Sequence, residues 1–143
     1  MKICVIPARG GSKRIPGKNI KLLGNKPLIS YTIDAAVGSK VFDEIYISSD
    51  DTNIIEYAKS KNILIDERPI NLAGDTTTQV QVINEFINRK KLSLDTQIAS
   101  LLPTCPFRTS QDIINAYDIF RKDISTPLIG VVAYDFPIQL ALS

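Results

Sequence analysis

Ile3-Cys4-Val5-Ile6-Pro7-Ala8-Arg9-Gly10-Gly11-Ser12-Lys13-Arg14-Ile15-Pro16-Gly17-Lys18-Asn19 is the stretch on which the reading of the chain turns. Ile3 to Ile6 form a short apolar run of the kind that becomes a strand buried on both faces. The run stops at Pro7, and no apolar periodicity returns before Asn19, which is too long for a mere connection. Gly10 and Gly11 let backbone N–H groups approach an anion closely, and Ser12 offers a hydroxyl donor. Arg9, Lys13 and Lys18 place positive charge around the same stretch. At an effective dielectric near 20, one cation about 4 Å from a phosphate oxygen is worth roughly 4 kcal/mol before desolvation, so three bias the loop towards a triphosphate. The competing reading is a solvated basic surface loop.

Two familiar phosphate loops do not fit. A Walker loop needs four residues between its first glycine and a Gly-Lys pair followed by Ser or Thr. Here five residues separate Gly11 from Gly17, and Asn19 follows Lys18. The dinucleotide pattern G-x-G-x-x-G fails because Gly10 and Gly11 are adjacent and Ser12 stands where the second glycine belongs.

Beyond the loop, apolar runs alternate with helical patterns. Further strands are expected at Ile45 to Ile47, Ile63 to Ile65, Ile98 to Leu102 and Leu128 to Ala133. Helices are expected over Pro27 to Val37, Thr52 to Lys61, Thr78 to Lys90 and Ser110 to Lys122, with caps at Asp51, at Thr77 or Thr78, and at Thr109 or Ser110. Val80, Ile83 and Ile87 form one core-facing stripe, and Ile113, Ala116 or Tyr117, and Phe120 another. This βαβαβαβαβ order predicts an α/β fold, an open and mainly parallel sheet with flanking helices joined by right-handed crossovers. Ligands of such sheets bind beyond the carboxyl ends of the strands, which puts the segments after Ile6, Ile47, Ile65 and Leu102 on one rim.

Composition bounds the function. The 143 residues, 44% hydrophobic, suit a single domain over 1–143 with its own core. A net charge of +2 is too small for a general nucleic-acid binder, and the loop is poor in aromatics. Yet seven basic residues precede the first carboxylate, Asp34, so the amino-terminal quarter is strongly cationic. Nothing pairs Cys4 with Cys105, no signal peptide is visible, and no apolar run reaches membrane-spanning length, so a cytoplasmic protein is expected. Histidine is absent, which removes imidazole bases, nucleophiles and ligands from this chain's chemistry.

The stretch Ile6 to Asn19 resembles the signature of the acylneuraminate cytidylyltransferases, the CMP-sialic acid synthetases. The resemblance continues in family order through Ser48-Ser49-Asp50, Arg68-Pro69 with Leu72-Ala73-Gly74-Asp75-Thr76, and Pro103-Thr104-Cys105-Pro106-Phe107-Arg108. CMP-Kdo synthetases open similarly but usually carry Lys-Pro where this chain has Lys18-Asn19. The resemblance implies a nucleotide-diphospho-sugar transferase fold and an enzyme whose partners are CTP and an acidic nine-carbon 2-keto sugar. The sugar's anomeric hydroxyl would attack the α-phosphorus and displace pyrophosphate, chemistry that rests on alignment and charge neutralisation.

By the same resemblance, Arg9, Lys13 and Lys18 are the catalytic cations on the phosphates. Ala8, Gly10, Gly11, Ser12 and Asn19 line the nucleotide, and Arg68 with Asp75, Thr77 and Gln79 closes over cytosine and ribose. Arg108 contacts the acidic sugar. Each assignment has a plainer alternative: Arg68 as a solvated loop arginine, Asp75 as a turn or cap, Arg108 as loop packing. Asp50 and Asp51 could ligate metal, but a strand-end turn with Asp51 capping the next helix is the favoured reading.

Relatives often carry Gln where Leu102 stands, which bears on the identity of the sugar. Tyr134-Asp135-Phe136-Pro137-Ile138-Gln139 resembles the pseudaminic acid branch. Members of the family are longer, and the resemblance places the Mg2+ ligands beyond Ser143 together with much of the segment that completes a homodimer. The expectation is an amino-terminal portion that keeps nucleotide affinity with little turnover alone. The alternative is a non-catalytic nucleotide-binding or interaction module.

Overall fold

The computed structural model describes residues 1–74 and 76–131. Its centre is β1 (Lys2–Pro7), in which Ile3, Cys4, Val5 and Ile6 are all at most 1% exposed. Period-two alternation sends Cys4 and Ile6 into one core cluster and Ile3 and Val5 into another, which is why the run is apolar without interruption. β1 pairs in parallel with β4 (Glu44–Ser49) and with β6 (Gln97–Ser100), and β4 pairs in parallel with β5 (Leu64–Glu67). The order across the sheet is β5-β4-β1-β6.

Helices α1 (Leu28–Ser39), α2 (Thr52–Ser60) and α4 (Ser110–Phe120) supply Ile29, Ile33, Ile54, Ala58 and Ile113 to the face holding Cys4 and Ile6. Helix α3 (Gln79–Lys90) covers the other face, where Phe86 packs edge-on against Tyr46 with ring centroids 5.1 Å apart. Local chemistry starts each helix. Asp51 accepts from the N–H groups of Asn53 and Ile54, while Thr78 with Gln81 and Thr109 with Asp112 close capping boxes. Helix α1 has no side-chain cap and begins directly after Pro27, whose ring presets the backbone.

Two expectations change and one open alternative is decided. The stripe of α3 is partly rotated: Ile83 packs half-buried on the core as expected, but Val80 is 67% exposed, whereas Val82 and Phe86 are buried at i and i+4, because those positions reach the Ile3, Val5 and Tyr46 surface. In α4, Tyr117 packs on the core and Ala116 is exposed. The fifth strand is absent over the described Leu128 to Val131, where Ile129 and Val131 are 77% and 89% exposed and no described strand pairs with them. Residues 132 and 133 of that expectation lie outside the described residues.

One element goes unannounced by hydrophobic pattern. β2 (Leu22–Leu23) and β3 (Lys26–Pro27) form an antiparallel ribbon turned at Gly24, whose φ is +64°. Tyr31 and Asp34 on α1 hold it, through a hydroxyl donated to the Leu23 carbonyl and an ion pair with Lys26.

Candidate functional site

The cationic loop leaves the sheet where β1 ends. Ala8, fully buried, donates its N–H to the Ser48 carbonyl at 2.9 Å and so extends the parallel pairing by one residue. The loop then closes on itself. Asn19, 5% exposed, donates from Nδ2 to the Arg9 carbonyl at 3.0 Å, and its own carbonyl receives the Ile29 N–H at 2.9 Å. Between these stems, Gly17 turns at φ +62° and accepts the N–H groups of Ile20 and Lys21, a backbone conformation that a side chain would strain.

This folding opens a cavity of about 500 Å³ at the carboxyl rim of the sheet, within the usual size of small-ligand sites. Four segments surround it: the loop from Pro7 to Asn19, Arg68 after β5, Thr77 to Val82 at the start of α3, and Leu102 to Thr104 after β6. Of the residues expected from sequence, Arg9, Ser12, Lys13, Lys18, Asn19, Arg68, Thr77 and Gln79 all line it. Arg14 joins them, bringing the cations to Arg9, Lys13, Arg14, Lys18 and Arg68, and no carboxylate stands in the described lining. Arg14, Ile15, Val82 and Thr104 were not singled out beforehand; membership of the same loop was the available signal for Arg14.

Arg68 is no solvated loop residue. It is 8% exposed, donating from Nη2 to the Ser48 carbonyl at 2.8 Å and from Nε towards Ser48 Oγ at 3.4 Å. Burial pushes its guanidinium below the usual value; nearby Asp50 and Asp66 oppose that shift, and the positive charge of Arg9 adds to it. The same group therefore locks the end of β4 and charges the cavity wall. Across the cavity, Arg9 donates from Nη1 to the Gly74 carbonyl at 3.1 Å, and Gln79 bridges to Ser100 Oγ at 2.5 Å, tying α3 to β6.

The remaining expected residues fall elsewhere. Ala8 is fully buried outside the lining, and Gly10 and Gly11 belong to the loop without lining the cavity. The Gly10 N–H, expected to face an anion, donates to Asp50 Oδ1 at 3.1 Å. Asp51 crowds the same glycine, for a Cβ on Gly10 would stand 2.5 Å from Asp51 Oδ2. Gly11 meets no described atom within 4 Å of where a Cβ would be. Arg108 stands outside the lining, its Nη1 3.5 Å from the Leu102 carbonyl, and Asp75 lies outside the described residues.

Asp51 caps α2, which settles its plainer reading. Among the described residues no group of three or more His, Cys, Asp or Glu is placed to hold a metal ion. No described helix is long and apolar enough to cross a membrane.

Known proteins resemble this chain in sequence and in fold. Residues 3–123 match the family described as cytidylyltransferase. The chain is 37% identical over 142 residues to a pseudaminic acid cytidylyltransferase of Campylobacter jejuni, covering 97% of this chain and 61% of that protein. It is 38% identical over 126 residues to the CMP-N,N'-diacetyllegionaminic acid synthase of Legionella pneumophila, covering 83% of this chain and 53% of that one. In fold it resembles a CMP:2-keto-3-deoxy-manno-octonic acid synthetase solved with CTP, at a TM-score of 0.73 and 23% identity over 88% of this chain and 49% of the other. The chain thus spans less than two thirds of each of these proteins. With the match running from β1 through α4 and so enclosing the cavity, the chain belongs to the cytidylyltransferase family.

Proposed function

We propose that the cavity binds CTP and that the protein transfers its CMP portion to the anomeric hydroxyl of a nine-carbon 2-keto sugar acid. In that reaction the hydroxyl oxygen bonds to the α-phosphorus, the bond from that phosphorus to the bridging oxygen breaks, and pyrophosphate leaves. The observation that carries the reading is the convergence of Arg9, Lys13, Arg14, Lys18 and Arg68 on one cavity without a carboxylate in its described lining. A polyphosphate offers these cations a common counter-ion of high charge. The names of the relatives, which act on pseudaminic and legionaminic acids, support a nonulosonic acid as acceptor.

Within the proposal, Arg9, Lys13 and Lys18 hold the triphosphate and stabilise the departing pyrophosphate, a role that needs no histidine. Arg68, Thr77 and Gln79 take the nucleoside end from the opposite wall. Arg108, on the segment that follows Leu102 to Thr104, is assigned to the acceptor's carboxylate. The homodimer implied by the resemblance belongs to the same reading, with analytical sedimentation as its check.

Thermal unfolding with and without CTP tests the reading. At CTP concentrations about 100-fold above Kd, linkage adds roughly 2.7 kcal/mol, a rise of about 5–10 °C for a domain of this size. Arg9→Ala and Lys18→Ala should reduce the rise. A flat response of the unaltered chain at millimolar CTP would overturn the proposal.

A further inference from the structure

Asp50 is an exposed carboxylate just past the end of β4, and its best-defined contact is with the backbone of the cationic loop: Oδ1 accepts the Gly10 N–H at 3.1 Å, across 40 residues of sequence. The next residue, Asp51, lies against the same glycine. Asp51 leaves no room for a Cβ on Gly10, and it is itself immobilised, its Oδ1 taking the N–H groups of Asn53 and Ile54 and its own N–H donating to Ser49 Oγ at 3.1 Å. Gly10 therefore lies against two consecutive side chains of the turn that joins β4 to α2. Downstream of those contacts, Ser12 donates its N–H to the Gly10 carbonyl at 2.8 Å, so the direction in which Ser12 and Lys13 leave depends on Gly10.

A carboxylate beside a cationic cavity opposes anion binding by simple Coulomb attraction for the same cations, and Arg68 does sense Asp50. Its hydrogen bond points to another role. We propose that Asp50 is a positioning residue for the phosphate grip: by holding the Gly10 amide, it orients the loop so that Arg9, Ser12 and Lys13 meet the outer phosphates of the nucleotide together. The inference rests on the nucleotide reading above and deepens it, because it assigns a polyphosphate-specific function to a residue outside the cavity lining.

Calorimetric binding of CTP and CMP to the intact chain and to three variants, with thermal unfolding alongside, tests it. Asp50→Ala removes the acceptor and should weaken CTP about tenfold while weakening CMP, which lacks the outer phosphates, less than about threefold. Asp50→Asn keeps an oxygen for the Gly10 N–H and should stay within about threefold of the unaltered chain for both ligands. Gly10→Ala, which drives a Cβ into Asp51, should reproduce the selective loss of CTP. The inference is overturned if Asp50→Ala binds CTP as tightly as the unaltered chain or more tightly, as a bare counter-ion would predict. Equal loss of CTP and CMP, or an Asn variant as weak as the Ala variant, also overturns it. Failure of the unaltered chain to bind CTP would sink the nucleotide reading first and this inference with it.

Discussion

Arg89 and Asp66 tie the far end of α3 to β5. Arg89 Nη2 donates to Asp66 Oδ2 at 3.1 Å and stands 2.8 Å from Oδ1, where the contact is an ion pair without hydrogen-bond alignment. The Asp66 side chain is 1% exposed and that of Arg89 31%, so the carboxylate depends on its partner while the guanidinium can still reach water. Arg89→Ala should therefore destabilise by about 3 kcal/mol, the low end for stranding a buried charge, because water can enter beside it. Asp66→Asn combined with Arg89→Ala should cost less than Arg89→Ala alone, measured by urea unfolding.

Phe86 and Val80 test the rotation of α3. Phe86→Ala opens a cavity against Ile3, Val5 and Tyr46 and should cost about 3–5 kcal/mol. Val80→Ala, at an exposed position, should stay within about 0.5 kcal/mol. Equal effects in urea melts would mean that the helix docks in another phase.

The cations of the cavity should act through charge. Lys18→Ala and Arg14→Ala should each weaken CTP about three- to tenfold near 50 mM salt, and the difference from the unaltered chain should shrink at several hundred millimolar as screening shortens the reach of the field. Titration calorimetry at two ionic strengths measures both effects.

The two thiols should separate cleanly. Burial pushes the Cys4 thiol up to about 12, whereas Cys105 is exposed. At pH 8, a disulfide reagent should consume one thiol at once and the second only at the rate of unfolding. Immediate reaction of both would contradict the packing around β1.

Acid should loosen α4. Asp112 accepts the Thr109 N–H and hydroxyl, which holds its carboxyl below the usual range. A lowered folded-state value means that this stability is present above the ordinary carboxylate pKa and is lost as pH falls below about 4. Urea midpoints of the unaltered chain should drop between pH 5 and pH 3. Asp112→Asn should flatten part of that slope, the remainder including Asp123, whose carboxyl Ser125 and Thr126 hold down in the same way.

What could be read in advance was local. Asp51, Thr78 and Thr109 announce helix starts because each cap reaches only two or three residues along the chain. The uninterrupted Ile3 to Ile6 announces a central strand because both its faces need cover. The ribbon at Leu22 to Pro27 escaped because two-residue strands leave no periodicity, although the Gly24-Asn25 pair was a turn signal.

The linear order of residues settled the alternation of strands and helices and gathered Arg9, Lys13 and Lys18 into one loop, since propensity, capping and clustered charge all act within a few positions. Docking decided the rest. Which face of α3 is buried, that Arg68 sits inside the rim on Ser48, and that the Gly10 amide turns to Asp50 all depend on groups tens of residues apart. Such contacts exist only once the sheet has brought their strands side by side, so nothing in the neighbourhood of each residue could specify them.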